Sequence, residues 1–249
     1  MVVSGEFIKY QERGAYHWIQ ADPRWTNRAF NAPLHARYQV LASQLRNTRG
    51  VVLDLGCGDG YLMHLICDPD SRSVHGLDAS LLGVELARTK LLGDVGGWSL
   101  AAGDSIELPI RDGSVDAVTF ADVIEHLDEP ARALREIARV LRDDGRLMLS
   151  TPNRNPARVW DPLHAHEFDA GELRSLVGQF FEEVDLFGCW PMRWFNRWTR
   201  NRMWRLGISA LARLGYNPFC QLTDQPSEDY GQLVCVAARP RRARQNDQS

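Results

Sequence analysis

Lysine is nearly missing from this 249-residue chain, which carries it only as Lys9 and Lys90. Its positive charge is therefore almost all arginine. So uniform a bias reflects base composition of the genome rather than chosen guanidinium sites, and the arginine count alone says nothing about nucleic acid. Cysteine is sparse and scattered. Cys57, Cys67, Cys189, Cys220 and Cys235 form no C-x-x-C pair, and an odd, dispersed set excludes a disulfide framework and a structural zinc site. No apolar run approaches the length that spans a bilayer. The first residues lack the basic-then-apolar layout of a secretion signal, so a cytoplasmic location is expected, with contact at the inner face of a membrane as one option. No internal repeat is present, and the length suits one sizeable core with an insertion rather than two full domains.

What the chain does have is the decapeptide 51–60, VVLDLGCGDG. A short apolar run leads into Asp54, and glycines follow at alternate positions, Gly56, Gly58 and Gly60. The run reads as a strand buried on both faces of a parallel sheet. The glycines permit a tight turn and bring bare backbone against a ligand. A dinucleotide loop requires G-x-G-x-x-G. Here Gly60 falls one place early and Tyr61 fills the slot. Asp54 would also repel a pyrophosphate but suits a cationic amino group. A ligand carrying an ammonium and a sulfonium fits that electrostatics, which sets aside a nicotinamide oxidoreductase.

On these residues the chain resembles the class I S-adenosylmethionine-dependent methyltransferases, over about residues 45 to 190. The resemblance continues through Val74-His75-Gly76-Leu77-Asp78, then Gly103-Asp104-Ser105, then Ala117 to Asp122 followed by Val123-Ile124-Glu125-His126-Leu127, and finally Leu141 to Ser150. It implies that Asp78 takes both ribose hydroxyls, as two acceptor oxygens can, and that Asp104 takes the adenine amino group. The cofactor-binding set it implies is Asp54, Gly56, Cys57, Gly58, Gly60, Tyr61, Asp78, Ala79, Asp104, Ser105, Ala121, Asp122 and Val123. Asp143-Asp144 replaces the family's Pro-Gly in an exposed turn.

From residue 51 strands and helices alternate, which predicts an α/β fold with the ligand at the carboxyl ends of the strands. The fold expected is a Rossmann-like, doubly wound, seven-stranded sheet with an antiparallel last strand. An N-terminal helical cap (1–44) precedes a core of 45–188 and 230–240. A helical insertion (189–229) separates strands six and seven, and a disordered tail (241–249) follows. In the cap, Tyr16 and Trp18 are candidates to face the substrate as part of a lid, and packing on the sheet is the alternative.

The insertion holds six arginines and no acid between Cys189 and Tyr216, against an overall charge of −3. At helical spacing Met192, Phe195, Thr199, Met203 and Leu206 form an expected core face. That leaves Trp190, Trp194, Trp198 and Trp204 interleaved with arginine on the other. Three readings stay open: a substrate lid using Trp194 and Trp198, a membrane contact through 189–216, and plain packing.

For chemistry, methyl transfer from a sulfonium is an in-line displacement that needs alignment above all. A hydroxyl acceptor adds a need for a general base, and His126, His164 and His166 are the candidates. Asp122-x-x-Glu125-His126 with His164-x-His166 is similar to the E-x-x-E-H plus distal His of two metal-assisted methyltransferase families. Asp122 stands where those families have Glu, so no metal ligand is assigned and no divalent metal is expected. The expectation is methyl transfer to a small-molecule, sugar or lipid-linked acceptor, at oxygen, with no nucleic-acid partner. A non-catalytic cofactor-binding scaffold and a metal-assisted RNA 2′-O-methyltransferase are the alternatives.

Overall fold

The computed structural model describes residues 8–93, 96–155 and 161–242. Short helices α1 (Ile8–Arg13) and α2 (Tyr16–Gln20) and the longer α3 (Ala32–Gln44) precede the sheet. Then β1 (Gly50–Leu55), α4 (Tyr61–Ile66), β2 (Arg72–Asp78), α5 (Leu81–Leu91), β3 (Trp98–Ala102), β4 (Val115–Ala121), α6 (Pro130–Val140) and β5 (Leu141–Pro152) follow the expected alternation. After them come α7 (Ala170–Val177), β6 (Phe181–Pro191), α8 (Met192–Arg200), α9 (Arg202–Arg213) and β7 (Tyr230–Pro240). The seven strands form one sheet in the order β3-β2-β1-β4-β5-β7-β6, and β7 runs antiparallel to both neighbours. The fold is the Rossmann-like sheet read from the sequence.

Period-two alternation divides each strand between two cores. Val52, Ala117, Met148 and Val234 point to the side covered by α3 and α4. Leu53, Val118, Leu147, Leu149 and Cys235 point to the side covered by α6 and α7. In α6, Pro130 stands at the start, where its missing N–H costs nothing. Ala133, Leu134, Ile137 and Ala138 then fall on one helical stripe and are buried. β1 lies between β2 and β4, with Asp54 opposite Gly76 on one side and Thr119 on the other. The chain thus leaves β1 and β4 toward opposite sides, and the crevice between their carboxyl ends is where open α/β sheets hold ligands.

The insertion departs from the expected pattern. It is two helices, as the separate apolar stretch 206–214 suggests, but the break falls earlier, at Asn201. Asn201 ends α8 and caps α9, its side-chain oxygen accepting from Trp204 N at 3.1 Å. The break changes the phase of the apolar pattern, so the face expected in the core is turned outward in α9. Met203 is 76% and Leu206 56% exposed, whereas Trp198 is only 7% exposed. Indole burial removes more apolar area from water than the displaced residues could, which favours this phase.

The tail expected from 241 is tied down where it leaves β7. Arg239 and Pro240 belong to β7. Arg242 donates to the carbonyls of Ala138, Arg139 and Leu141 and pairs with Asp143. The rest of the expected tail, 243–249, lies outside the described residues.

Candidate functional site

A cavity of about 560 Å³ opens at the carboxyl ends of β1, β2 and β4, roofed by α1, α2 and α3. Its floor is the glycine loop. Gly56 and Gly58 have φ of +76° and +52°, a region that side chains rarely adopt. Space forbids them too. A Cβ on Gly56 would stand 2.3 Å from Val123 Cγ2, and one on Gly58 would stand 1.9 Å from the Tyr10 hydroxyl oxygen.

Two carboxylates flank the loop. Asp54 is 1% exposed and accepts from Thr119 Oγ1 at 2.6 Å. Burial pushes its carboxyl up to about 7, against the Thr119 hydrogen bond that works the other way. Asp78 accepts from Gly58 N at 2.8 Å and Ser80 N at 2.7 Å, yet burial still raises its pKa. Asp54, at about 7, is thus poised to give up its proton when a cation arrives. Cys57 between them is a buried filler, its thiol held well above the ordinary range by burial.

The roof is fastened to the loop at Asp59. Its carboxylate meets His17 Nδ1 at 3.1 Å and the His17 N–H at 3.1 Å, and its carbonyl accepts from Trp18 Nε1 at 2.7 Å. Tyr61 adds a hydrogen bond from its hydroxyl to Ala21 O at 3.0 Å. Tyr10 and Tyr16 close the cavity above Gly58.

At the end of β4 the chain turns through Asp122, whose φ of +52° is the left-handed conformation that Asp tolerates better than most residues. Asp122 accepts from Ser150 Oγ at 3.1 Å and from Gln232 Nε2, and its other oxygen lies 2.5 Å from Arg37 Nε. Arg37 comes from α3 and rests over the Trp190 ring at 5.3 Å. Glu125 is almost fully buried, accepts from Thr151 Oγ1 at 3.0 Å, and is pushed well above its ordinary pKa by burial and then by Asp122.

Beside it, His126 Nδ1 lies 2.9 Å from Leu163 O. A carbonyl can only accept, so Nδ1 carries the ring proton and Nε2 the lone pair. Burial lowers the His126 pKa, and the ring is neutral at pH 7. His164 packs edge-on to it with centroids 4.9 Å apart, and its Nδ1 lies 2.8 Å from buried Glu167.

The structure brings most of the sequence-predicted residues together. All the expected cofactor residues line the cavity except Gly58 and Gly60, which shape the loop behind it. Tyr16, His126 and His164 also line it. Four expected residues do not. Trp18 is the fastener on Asp59 and packs edge-on against Tyr61 at 5.6 Å. Trp194 lies against Trp204, and Trp198 is buried against Phe219, so the insertion's indoles pack the core instead of facing substrate. His166 turns away to Glu172 at 3.3 Å and to the Phe168 ring. Ligand atoms of Glu125, His126 and His164 lie within 4.8 Å of one another. Asp122 is engaged with Arg37 and His166 points elsewhere, so the full similarity to the metal-assisted pattern is not assembled. Sequence reasoning missed Arg37, Asp59 and Thr119. Asp59 sits inside the glycine loop, and its position was the available signal.

Residues 53–149 match the family described as Methyltransferase domain. The chain is 40% identical over 148 residues to a Mycobacterium tuberculosis protein named as a probable S-adenosylmethionine-dependent methyltransferase, covering 57% of this chain and 52% of that one. It therefore spans about half the length of that relative. A ubiquinone biosynthesis O-methyltransferase of Neisseria meningitidis is 30% identical over 171 residues, 67% of this chain and 70% of that one. Among solved structures, an S-adenosylmethionine-dependent methyltransferase of Thermotoga maritima superposes with a TM-score of 0.62 at 20% identity, covering 94% of this chain and 96% of that one. That likeness concerns the fold.

Proposed function

The chain belongs to the class I S-adenosylmethionine-dependent methyltransferases, and from that premise we propose that it transfers a methyl group to an oxygen of a small-molecule, sugar or lipid-linked acceptor. S-adenosylmethionine supplies the electrophilic methyl when bound. Asp54 would hold the ammonium, Asp78 the ribose hydroxyls and Asp104 the adenine amino group. Each carboxyl suits its task, and the raised pKa of Asp54 means that the arriving cation draws out its charge. The cap fastened on Asp59 excludes water from the displacement.

The state of His126 carries the preference for oxygen. Leu163 fixes its tautomer, burial keeps it neutral, and it lines the same cavity as Asp54 and Asp78. A hydroxyl presented to Nε2 loses its proton as the oxygen attacks, and His164, braced by Glu167, shares the wall. An amine acceptor would need no such base. The Neisseria relative is an O-methyltransferase by name, which supports the same atom.

The test is transfer of isotopically labelled methyl to panels of phenols, sugars, polyprenyl-linked alcohols and amines. A phenol or alcohol product, with kcat lowered at least a hundredfold in His126→Gln at unchanged cofactor affinity, is expected. Transfer confined to amines, or full activity in His126→Gln, overturns the reading.

A further inference from the structure

The outward face of α9 is apolar and largely exposed. Met203, Leu206, Ala210 and Leu214 recur at the spacing of one helical stripe, and Met203 and Leu214 are each about three-quarters exposed, at 76% and 74%. The opposite stripe of the same helix, Ile208 and Ala212, is the one that packs inward. The exposed stripe continues past the helix. Arg213 donates to Asn27 O at 2.6 Å and lies over the Trp25 ring at 5.6 Å, which brings exposed Trp25 to its edge, and Tyr216 is exposed beyond it.

The two helices that form this face carry charge of one sign. The segment from Cys189 to Tyr216 has six arginines and no acid, in a chain whose overall charge is −3. Arg193, Arg197, Arg200, Arg202 and Arg205 are exposed, and none forms an ion pair among the described residues. Arg197 and Arg205 lie over Trp204 and Trp198 instead, at 5.3 Å and 5.9 Å. A cluster of this kind would be costly to bury against a second copy of the chain. A twofold contact sets the same patch on both sides, so guanidinium would face guanidinium.

We propose that the α8–α9 face docks on an anionic lipid bilayer. Acyl chains accept the Met203, Leu206 and Leu214 stripe, lipid phosphates meet the arginines, and Trp25 and Tyr216 suit the interfacial layer between them. Position in the fold supports the assignment. β6 and β5 both run antiparallel to β7, so β6 ends at the same rim as β1 and β4, and α8 leaves from there. α9 in turn contacts α3, the helix that carries Arg37 over the cavity. Docking through α9 brings a lipid surface to the side of the molecule where the cavity is roofed.

The test uses the full chain with phosphatidylcholine vesicles, with and without phosphatidylglycerol, in a flotation assay at low and raised salt. Binding to the charged vesicles at least tenfold stronger than to neutral ones, weakened by salt, is expected. Arg200→Gln with Arg202→Gln should weaken it roughly 25-fold, at about fivefold per guanidinium. Met203→Ser with Leu206→Ser and Leu214→Ser should also weaken it at least tenfold. Calorimetric titration of both variants with S-adenosylmethionine reports that the fold is intact, independently of any methyl transfer. Three results overturn the proposal: equal binding to neutral and charged vesicles, no vesicle binding by the unaltered chain, or a solution dimer that the serine variant dissolves.

Discussion

Asp54 Oδ1 accepts the Thr119 hydroxyl at 2.6 Å, a bond between neighbouring strands made where almost no solvent reaches. One hydrogen bond does not offset the loss of water, and the Asp54 carboxyl titrates at about 7 in the folded protein, against an ordinary 3.8. Because the folded-state value lies above the unfolded one, the folded protein binds the extra proton. This contribution to stability is complete below about pH 4 and is lost as pH rises to about 7. The apo protein should therefore melt lower at pH 8 than at pH 5.5. Asp54→Asn should remove much of that difference while weakening cofactor binding more than tenfold. Thermal melts at both pH values and one calorimetric titration check the pair of effects.

The same shift makes cofactor binding a proton-release event. An ammonium placed beside Asp54 favours its charged form, so near pH 7 about half a proton should leave per cofactor bound. Titrations in two buffers of different ionisation enthalpy measure this number directly. Zero release at pH 7 would mean that the ammonium lies elsewhere.

How much of this was legible in the sequence depends on whether a residue acts through its own strand or through packing. Asp54 and Asp78 lie at the ends of their strands and Asp104 just past β3, and strand ends in an alternating chain converge on one rim, so their convergence could be read without coordinates. Arg37 is a lone charge among apolar positions of α3, and only the docking of α3 over the sheet brings it to Asp122. His164 and His166 looked equivalent as alternate residues, but a turn at 162–163 and a bend at Ala165 send them to different neighbours. Met203 and Leu206 leave the expected core face for a similar reason. Asn201 interrupts the helix, and an apolar phase counted across that break has no meaning.

The Arg37–Asp122 pair should behave as a buried ion pair, since Asp122 is 10% and Arg37 20% exposed at the side chain. Removing one partner leaves a charge without its counterion. Arg37→Met should destabilise the protein by about 3 kcal/mol, within the range seen when buried pairs are broken. Arg37→Met combined with Asp122→Asn should recover much of that loss. Urea unfolding of the two singles and the double measures the coupling, and additive losses would show that the pair is not coupled.

Gly58 is where sterics and the cap meet. Alanine there must adopt φ near +52° and place its Cβ within 1.9 Å of the Tyr10 hydroxyl oxygen. Gly58→Ala should therefore displace α1 and weaken cofactor binding tenfold or more. Adding Tyr10→Phe removes the nearest clashing atom but leaves the backbone strain, worth roughly 1–2 kcal/mol. Binding should be restored in part by the double variant and not fully. Complete restoration would assign the whole effect to the clash, and none would assign it to the backbone.

His126 sets the pH dependence of the reaction proposed above. Burial, the largest influence on it, lowers its pKa, with the charge of nearby Lys9 and the neighbouring ring of His164 acting in the same direction. The base form is therefore the resting state at neutral pH, and protonation on acidification removes the lone pair that takes the acceptor's proton. The kcat/KM profile should stay flat from pH 7 to 8 and fall with unit slope only below about 6.5, the ordinary histidine value. His126→Gln should abolish that acid limb along with most of the rate, leaving cofactor affinity unchanged because the ring belongs to the acceptor side. An acid limb that survives the substitution would assign the titration to another group lining the cavity, with His164 the next to replace.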